Sequence, residues 1–341
     1  MSSWSEAIRS LVHKLNNFSR PGSCKSLCKP FLVDGVQVGY ISPKIASYLK
    51  SYDEVFEMVP GTSGEIRHVT LAPGLKTFTE RSQKVAEVMN SLRLKDVFST
   101  LRGWRNEMYP VMASFDTKPC FMMERSATLN NTDCTGKNNQ PEEVKGKEKF
   151  TLGGGALGYK ARGETSLLGT VQYGVHVNGY CIDENGKMLM WIARRSPTKQ
   201  TWPGKLDQIV AGGIICGEGI QETLIRECAE EASIPQELAK AASSAGCVSY
   251  FFEDERGLFP EVQFVWDLKL PRDFQPINSD GEVGEFYCWP MAKVKARIAT
   301  EEFKPNCALV VLDFMVRHGF VTPDSEPHFV EFVLGSHSSL L

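Results

Sequence analysis

Apolar and polar residues alternate along several short runs in the second half of the chain. The runs VQYGVHVNGYCID and KMLMWIARRS, which begin at residues 171 and 187, predict two strands joined by a turn at 183–186. The same region predicts three further strands at 247–253, 261–269 and 284–289, and a last helix at 305–318. Strands that alternate with helices in this way favour a mixed sheet with helices packed outside it.

The first half of the chain predicts a smaller unit of strands and helices. PFLVDGVQVGYI alternates around Asp34-Gly35, a pattern that is typical of a hairpin. Thr77 and Glu80 have the spacing of a capping box, so the apolar stripe behind them predicts a helix of about four turns. Apolar residues at helical spacing in residues 1–20 favour a first helix of the folded domain, with an amphipathic transit peptide as the alternative.

A polar segment separates these two units. Residues 130–165 hold few large apolar side chains, and such a composition cannot repay the entropy that is lost on ordering. GGGALG at 153–158 matches the letters of a dinucleotide-binding fingerprint, but no strand is predicted before it and no helix after it, which favours a glycine linker. The predicted organisation is an N-terminal α/β domain at 1–124 and a flexible insertion or linker at 125–165. A second α/β domain at 166–330 and a C-terminal tail at 331–341 follow.

Composition and charge narrow the class of protein. A chain of 341 residues, 42% of them apolar, can bury two cores. Its net charge of −3 provides no general attraction to nucleic acid or to an anionic membrane, so we expect neither as a partner. Ten cysteines at irregular spacings favour a reducing compartment over a disulfide framework. We therefore expect a cytoplasmic protein, with mitochondria or a peroxisome-like organelle as alternatives, and a homodimer is left open.

The segment GGIICGEGIQETLIRECAEEASI concentrates carboxylates on one face of a predicted helix. Since each residue turns a helix by about 100°, Glu227, Glu230 and Glu231 fall within one arc. Like charges repel at this spacing, and Arg226 is a single opposite charge beside them. The arc is either a solvated acidic face or a site for a hard divalent cation, because Mg²⁺ and Mn²⁺ prefer oxygen ligands next to substrate phosphate.

The spacing of this segment resembles the Nudix box, Gly-x5-Glu-x7-Arg-Glu-apolar-x-Glu-Glu-x-Gly-apolar. Every charged position is present, whereas Cys228 fills an aliphatic position and Ser233 replaces the second glycine. Runs outside the box, including WIARRSPTKQTWPGKLDQIVAGG and FKPNCALVVLDFMVRHGFVTP, are similar to Nudix hydrolases of the thiamine pyrophosphokinase-related type. That family carries a domain of unknown function before the hydrolase domain. The resemblance implies a Nudix α/β/α sandwich with a mixed sheet, preceded by a smaller α/β domain.

The resemblance also implies which residues form the site. The implied ligands of Mg²⁺ or Mn²⁺ are the carbonyl of Gly212 and the carboxylates of Glu227, Glu230 and Glu231. Arg226 would orient these acids, and Glu218 would support the loop that enters the helix. Glu282, from a late loop, is a candidate further ligand or base, with an ordinary turn acid as the alternative.

Three cations are candidates for binding the substrate. They are Arg194 and Arg195 on a predicted strand, and Lys199 after it. Because neighbouring strand residues point to opposite faces, at most one of the two arginines should meet a phosphate.

The implied activity is metal-dependent hydrolysis of a diphosphate linkage in a small molecule. The resemblance favours oxidised or damaged thiamine diphosphate as the substrate, cleaved to the monophosphate and phosphate. A hydrolase of ADP-ribose or of another nucleoside diphosphate derivative is the alternative enzyme. A Nudix-fold isomerase or a non-catalytic binding module is the alternative from a different class.

Overall fold

The computed structural model describes residues 3–102, 104–115, 117–126 and 164–341. The flexible insertion predicted at 125–165 therefore lies outside the described residues, apart from its ends, and so does the glycine linker predicted at 153–158. Within the described ranges, no helix is long and apolar enough to cross a membrane.

The first part of the chain forms a mixed sheet that packs against a long helix. Its elements are α1 (Trp4–Leu15), β1 (Lys29–Val33), β2 (Val36–Ile41), α2 (Pro43–Leu49), β3 (Phe56–Pro60), β4 (Ile66–Leu71) and α3 (Phe78–Leu94). The strand order is β2-β1-β4-β3, in which β1 and β4 are parallel and the other pairs are antiparallel. A separate antiparallel pair follows, formed by β5 (Trp104–Val111) and β6 (Phe121–Ser126).

Local sequence signals explain where these elements begin and end. Asp34 and Gly35 have φ values of 51° and 81°, which is the pair of positive angles that a tight hairpin turn requires. The hydroxyl of Thr77 accepts from the Glu80 N–H, and the Glu80 carboxylate accepts from the Thr77 N–H, so α3 begins at Phe78 with a complete capping box. The predicted hairpin and the predicted helix are both confirmed.

A second, larger sheet carries the rest of the chain. Its strands are β7 (Gln172–Ile182), β8 (Met188–Arg195), β9 (Leu206–Gln208), β10 (Val210–Gly213), β11 (Ser243–Asp254), β12 (Gly257–Lys269) and β13 (Val283–Pro290). The helices are α4 (Glu164–Leu167), α5 (Ile220–Ala232), α6 (Gln236–Lys240), α7 (Met291–Ile298), α8 (Pro305–Arg317) and α9 (Phe329–Gly335). The strand order is β11-β12-β7-β8-β13, with β10 beside β7 and β9 beside β8.

Helices cover both faces of this sheet. On one face, Leu224 and Cys228 of α5 belong to the same buried cluster as Val175 of β7. On the other face, α8 shares a buried cluster with Tyr250 of β11 and Val265 of β12. β7 and β12 are parallel, whereas β7 and β8 are antiparallel, so the sheet is mixed. The predicted α/β/α sandwich with a mixed sheet, preceded by a smaller α/β unit, is confirmed.

The two ends of the described chain pack on the larger sheet. Ile8 and Val12 of α1 lie in the buried cluster that contains α8, although the predicted boundary places α1 in the N-terminal domain. The backbone of Gly335 in α9 lies so close to Val12 that a side chain at residue 335 would overlap it. Residues up to Gly335 are thus helical where a tail was predicted from 331. The domain boundaries themselves stay predictions.

The strand β5 of the first part contacts the larger sheet directly. The carbonyl of Met108 accepts a hydrogen bond of 2.8 Å from the N–H of Cys216, in the loop that leads into α5. Beyond the strand, the ring of Phe115 lies 5.0 Å from that of Tyr173 and 4.8 Å from that of Phe264. The two parts of the chain therefore meet beside the start of α5.

Candidate functional site

The helix α5 presents its carboxylates because of the way its two ends and its apolar face are fixed. Its start is capped by the Glu222 carboxylate, which accepts a hydrogen bond of 3.0 Å from the Gly219 N–H. Leu224 and Cys228 are buried against the sheet. The adjoining face carries the carboxylates, from the buried Glu231 beside β10 to the exposed Glu230, and the helix ends at Ser233 in the left-handed conformation.

Arg226 connects three of the five predicted carboxylates. It donates two hydrogen bonds of 2.8 Å to Glu218, one to each oxygen. Its third nitrogen donates at 2.9 Å to Glu227 and to Glu230. The hydrogen bonds to Glu218 are the main reason that the pKa of Arg226 lies above its ordinary value. The structure thus brings together the predicted orienting arginine and its predicted partners.

The carboxylates of Glu227 and Glu231 lie against the backbone of β10. The Glu231 carboxylate accepts a hydrogen bond of 2.8 Å from the Ala211 N–H. The Glu227 carboxylate lies so close to Gly212 that any side chain at this position would overlap it. A side chain at residue 212 would therefore displace the Glu227 carboxylate from the strand. The Gly212 backbone and the two acids are therefore neighbours in space.

The site carries more negative charge than its cations neutralise. Glu231 is only 7% exposed, and burial together with the nearby Glu227 carboxylate raises the pKa of Glu231 to about 8. Lys199 lies close enough to lower the same pKa, but it does not outweigh the burial. Ionisation of Glu231 is therefore unfavourable in the absence of a cation. A bound cation would stabilise the ionised carboxylate.

The donor set fits a hard divalent cation, although the side chains are not yet arranged around one. Carboxylate oxygens and a backbone carbonyl are the ligands that Mg²⁺ and Mn²⁺ prefer. Within the described part of the chain, no three His, Cys, Asp or Glu side chains converge as a formed metal site. The physical reason is that Glu227 and Glu230 turn toward Arg226. Each of these two carboxylates binds Arg226 through one oxygen, so its other oxygen would have to turn toward the cation.

Glu282 lies in an ion pair with Lys199, at the side of the site formed by the loops after β8 and before β13. The side chain of Lys199 is 9% exposed and that of Glu282 is 36% exposed. The carbonyl of Glu282 also accepts a hydrogen bond of 2.9 Å from the Ser196 N–H. Lys199, the partner of this loop acid, also lowers the pKa of Glu231 and therefore lies near α5.

The two arginines predicted as candidates for phosphate binding both contact protein groups. Arg194 donates to the carbonyl of Gly204 at 2.8 Å and to the hydroxyl of Tyr287 at 3.1 Å. Arg195 is buried and donates to Asp207 at 2.8 Å. Burial would raise the pKa of Asp207, but Lys304 and Arg195 hold it below its ordinary value. Each guanidinium thus has protein partners in this structure, and the role of one of them in binding phosphate stays a prediction.

A small cavity of about 80 Å³ opens beside Gly212, on the face of the sheet opposite α5. Its lining includes Trp202 and Tyr250, whose rings could stack on an aromatic ligand. It also includes four side chains that the sequence did not connect with a site, namely Tyr109, Tyr173, Glu261 and Gln263. The Tyr250 hydroxyl donates to Glu261 at 2.7 Å, and the Gln263 amide donates to the Tyr250 hydroxyl at 2.8 Å. The cavity therefore combines aromatic walls with a hydrogen-bonded polar edge.

The sequence held one signal for this polar edge. Glu261 and Gln263 occupy alternate positions of the strand EVQFVWDLK, so both point to the same face of an otherwise apolar strand. No comparable signal pointed to Tyr109, because it reaches the cavity from β5 in the other part of the chain.

Two family models match the chain. A domain of unknown function, DUF4743, matches residues 10–130, and the NUDIX domain matches residues 172–307. The second match contains all of α5 and the carboxylates described above.

Relatives extend the similarity to nearly the whole chain. Nudix hydrolase 20, chloroplastic, of Arabidopsis thaliana is 34% identical over 325 residues, which are 94% of this chain and 76% of that protein. Nudix hydrolase 24, chloroplastic, of the same plant is 36% identical over 297 residues, which are 87% of this chain and 69% of that protein. An uncharacterized protein of Saccharomyces cerevisiae is 31% identical over 325 residues, 90% of this chain and 82% of its own length.

One similar solved structure is the NUDIX domain of Shewanella oneidensis NrtR complexed with ADP ribose. The match has a TM-score of 0.35 and 14% sequence identity, and it covers 44% of this chain and 88% of that one. The identity with the two plant proteins and the NUDIX model match are the findings that decide the family. The chain therefore belongs to the Nudix hydrolase family and is a diphosphate hydrolase, with a DUF4743 domain ahead of its Nudix domain.

Proposed function

We propose that this hydrolase cleaves the diphosphate of a small heteroaromatic alcohol, of the thiamine diphosphate type and especially its oxidised or damaged forms. The products would be the monophosphate and inorganic phosphate. The observation that carries the proposal is the cavity beside Gly212, which has aromatic walls and a polar edge. Aromatic side chains stack on flat rings, and a buried polar edge distinguishes exocyclic groups.

The size of the cavity favours a small organic group. About 80 Å³ is far below the roughly 300–1,000 Å³ of a pocket that encloses a drug-sized ligand. A single ring could therefore enter the cavity, and the diphosphate would have to reach past β10 at Gly212 to the α5 carboxylates on the other face. ADP-ribose, which has an adenine and two riboses, needs a longer site.

The chain's own residues supply the rest of the chemistry in this proposal. Glu227, Glu230, Glu231 and the Gly212 carbonyl would hold Mg²⁺ or Mn²⁺, metals that Nudix hydrolases generally use. Once bound, such a cation neutralises diphosphate oxygens and acidifies a water molecule. Arg226 would orient the acids on either side of it, because it already contacts Glu227 and Glu230. Glu282, held by Lys199, would accept a proton at its carboxylate.

The substrate assignment is tested by comparing three diphosphates at equal Mg²⁺ concentration. We expect kcat/KM to be highest for oxo- or oxythiamine diphosphate, lower for thiamine diphosphate and lowest for ADP-ribose. The physical reason is that the wrong analogue leaves buried polar groups of the cavity without partners. Steady-state phosphate release, with product identification for ADP-ribose, provides the measurement. Faster cleavage of ADP-ribose with AMP as the product would refute the thiamine assignment and leave the hydrolase intact.

The contribution of the DUF4743 domain to the cavity gives a second prediction. Tyr109→Ala removes an aromatic wall, and a ring contact of this kind stabilises by about 0.5–1.5 kcal/mol, so we expect KM to rise by up to about tenfold. The value of kcat should change little, because Tyr109 contacts the organic group and not the diphosphate in this proposal.

The control for Tyr109→Ala is Tyr48→Ala, which makes the same substitution at an exposed tyrosine of α2. Tyr109 is buried, so the melting temperature and the KM of Tyr109→Phe must be measured as well. An unchanged KM in a folded Tyr109→Ala protein would show that the DUF4743 domain does not contact the substrate.

The cellular location stays a proposal. The cysteines of the described residues are free, which is compatible with the reducing cytoplasm that the sequence predicts. The two plant relatives are named chloroplastic. A fluorescent fusion of the full chain, imaged with organelle markers, would distinguish cytoplasm from an organelle.

A further inference from the structure

The residue that ends α5 departs from the Nudix box. Ser233 stands where the motif has glycine, and its φ of 51° and ψ of 34° place it in the left-handed region. Glycine is the usual residue at this helix position because it has no Cβ to disfavour a positive φ. A serine therefore carries a conformational cost here, and its hydroxyl is the group that distinguishes it from glycine.

The hydroxyl of Ser233 holds a loop against the end of α5. It donates to the carbonyl of Ile277 at 2.9 Å and lies 2.6 Å from the hydroxyl oxygen of Ser279. Two backbone hydrogen bonds support the same contact, from the Ile277 N–H to the Ala232 carbonyl and from the Ser279 N–H to the Glu230 carbonyl. The loop of residues 277–283, which we call the acid loop, is thus attached to the helix that carries the predicted metal ligands.

The acid loop is compact between this attachment and Glu282. The Asn278 amide donates to the Val283 carbonyl at 2.6 Å, and its side-chain oxygen accepts from the Gly281 N–H at 2.9 Å. The carboxylate of Glu282 then pairs with Lys199 at the other end. A displacement of the loop at Ser233 would consequently move Glu282.

We propose that Ser233 is a positioning residue, which fixes the acid loop so that Glu282 and Lys199 stay beside the α5 carboxylates. Glycine at residue 233 would end the helix equally well, but it could not hold the loop through a side chain. The proposal rests on the proposed function in one respect, namely that Glu282 assists the hydrolysis.

The test compares two substitutions that remove the same hydroxyl. Ser233→Gly removes the hydroxyl and also the cost of the positive φ, which glycine tolerates. Ser233→Ala removes the hydroxyl but keeps a Cβ, so the cost of the positive φ remains. We expect kcat for oxythiamine diphosphate to fall by about tenfold in both variants, with KM almost unchanged. Losses of about this size are typical when a residue that orients metal ligands, without binding the metal itself, is replaced. The melting temperature should be lower for Ser233→Ala than for Ser233→Gly. Ser279→Ala, from the loop side of the contact, should lower kcat in the same direction.

Two further measurements separate positioning from a merely structural role. Hydrogen exchange of residues 277–283, recorded without metal or substrate, should be faster in both Ser233 variants than in the wild type. Combining Ser233→Gly with Glu282→Gln should lower kcat little further than Glu282→Gln alone, because both changes act on the same group.

The opposite results would overturn the proposal. The first is a Ser233→Gly protein with the kcat of the wild type while the kcat of Ser233→Ala is lowered. The second is hydrogen exchange of the acid loop that does not change in the Ser233 variants. The third is an additive effect of Ser233→Gly and Glu282→Gln on kcat. Absence of turnover by the wild type would count against the proposed substrate, whereas the exchange rates would still decide whether Ser233 holds the loop.

Discussion

We expect Glu231→Gln to lower the turnover of a diphosphate substrate by about three orders of magnitude while the fold survives. Glutamine keeps the shape of the side chain and can still accept the hydrogen bond from the Ala211 N–H. It removes one ligand charge, however. A catalytic metal contributes several kcal/mol of charge stabilisation to the transition state, and each 1.36 kcal/mol corresponds to a factor of ten in rate. Steady-state phosphate release at saturating Mg²⁺ measures the effect.

The stability of this variant should match or exceed that of the wild type when no metal is present. Burial and the nearby Glu227 carboxylate raise the pKa of Glu231, so the folded protein must either ionise this acid at a cost or take up a proton, and glutamine avoids both costs. Glu237→Gln, on the exposed helix α6, is the matched control and should keep its activity. Turnover near the wild-type level for a folded Glu231→Gln protein would contradict the assignment of Glu231 to the metal site.

Arg226→Gln should give the second large effect, on stability in the absence of metal. Its removal leaves the carboxylates of Glu218, Glu227 and Glu230 facing one another without their shared cation. Removing one partner of a buried pair costs about 3–5 kcal/mol. The side chain of Arg226 is 29% exposed, so solvent screening reduces the expected loss of unfolding free energy to about 2 kcal/mol.

Added Mg²⁺ should restore part of this stability, since a cation that binds the folded state stabilises it by mass action. Urea unfolding of the wild type and the variant, with EDTA and with Mg²⁺, provides the comparison. Arg272→Gln, which breaks an exposed pair with Glu184, is the control and should change the unfolding free energy little. If Mg²⁺ stabilised neither protein, the carboxylates around Arg226 would not be a cation site.

Elements that are fixed by neighbouring residues could be predicted from the sequence. The hairpin at Asp34 and the capping box of Thr77 depend on residues at most three positions apart, and both are confirmed. The predicted strand at 261–269 is also confirmed and extends further in the structure, to Gly257–Lys269. Its alternation is a local property of the chain.

The box residues could be placed together in advance for the same reason. They lie on one helix and the loop before it, so their spacing alone brings Glu218 near Arg226. The fine orientation was not predictable, because the contact of Glu231 with Ala211 depends on how α5 crosses β10.

Contacts between distant parts of the chain could not be predicted. Tyr109 reaches the cavity across a domain boundary, and α1 joins the core of the Nudix domain from the other end of the sequence. The partners of Arg194 and Arg195 depend on loop conformations that strand alternation does not specify. Such contacts are set by tertiary packing, which leaves no periodic mark on the sequence.

The central claim is that the α5 carboxylates hold a divalent cation for hydrolysis of a diphosphate. The most direct measurement is phosphate release from oxythiamine diphosphate by the full chain, with Mg²⁺ and with EDTA, for the wild type and Glu231→Gln. We predict release by the wild type with Mg²⁺, and almost none with EDTA or for the variant. Equal release with EDTA, or equal release by a folded Glu231→Gln protein, would contradict the claim.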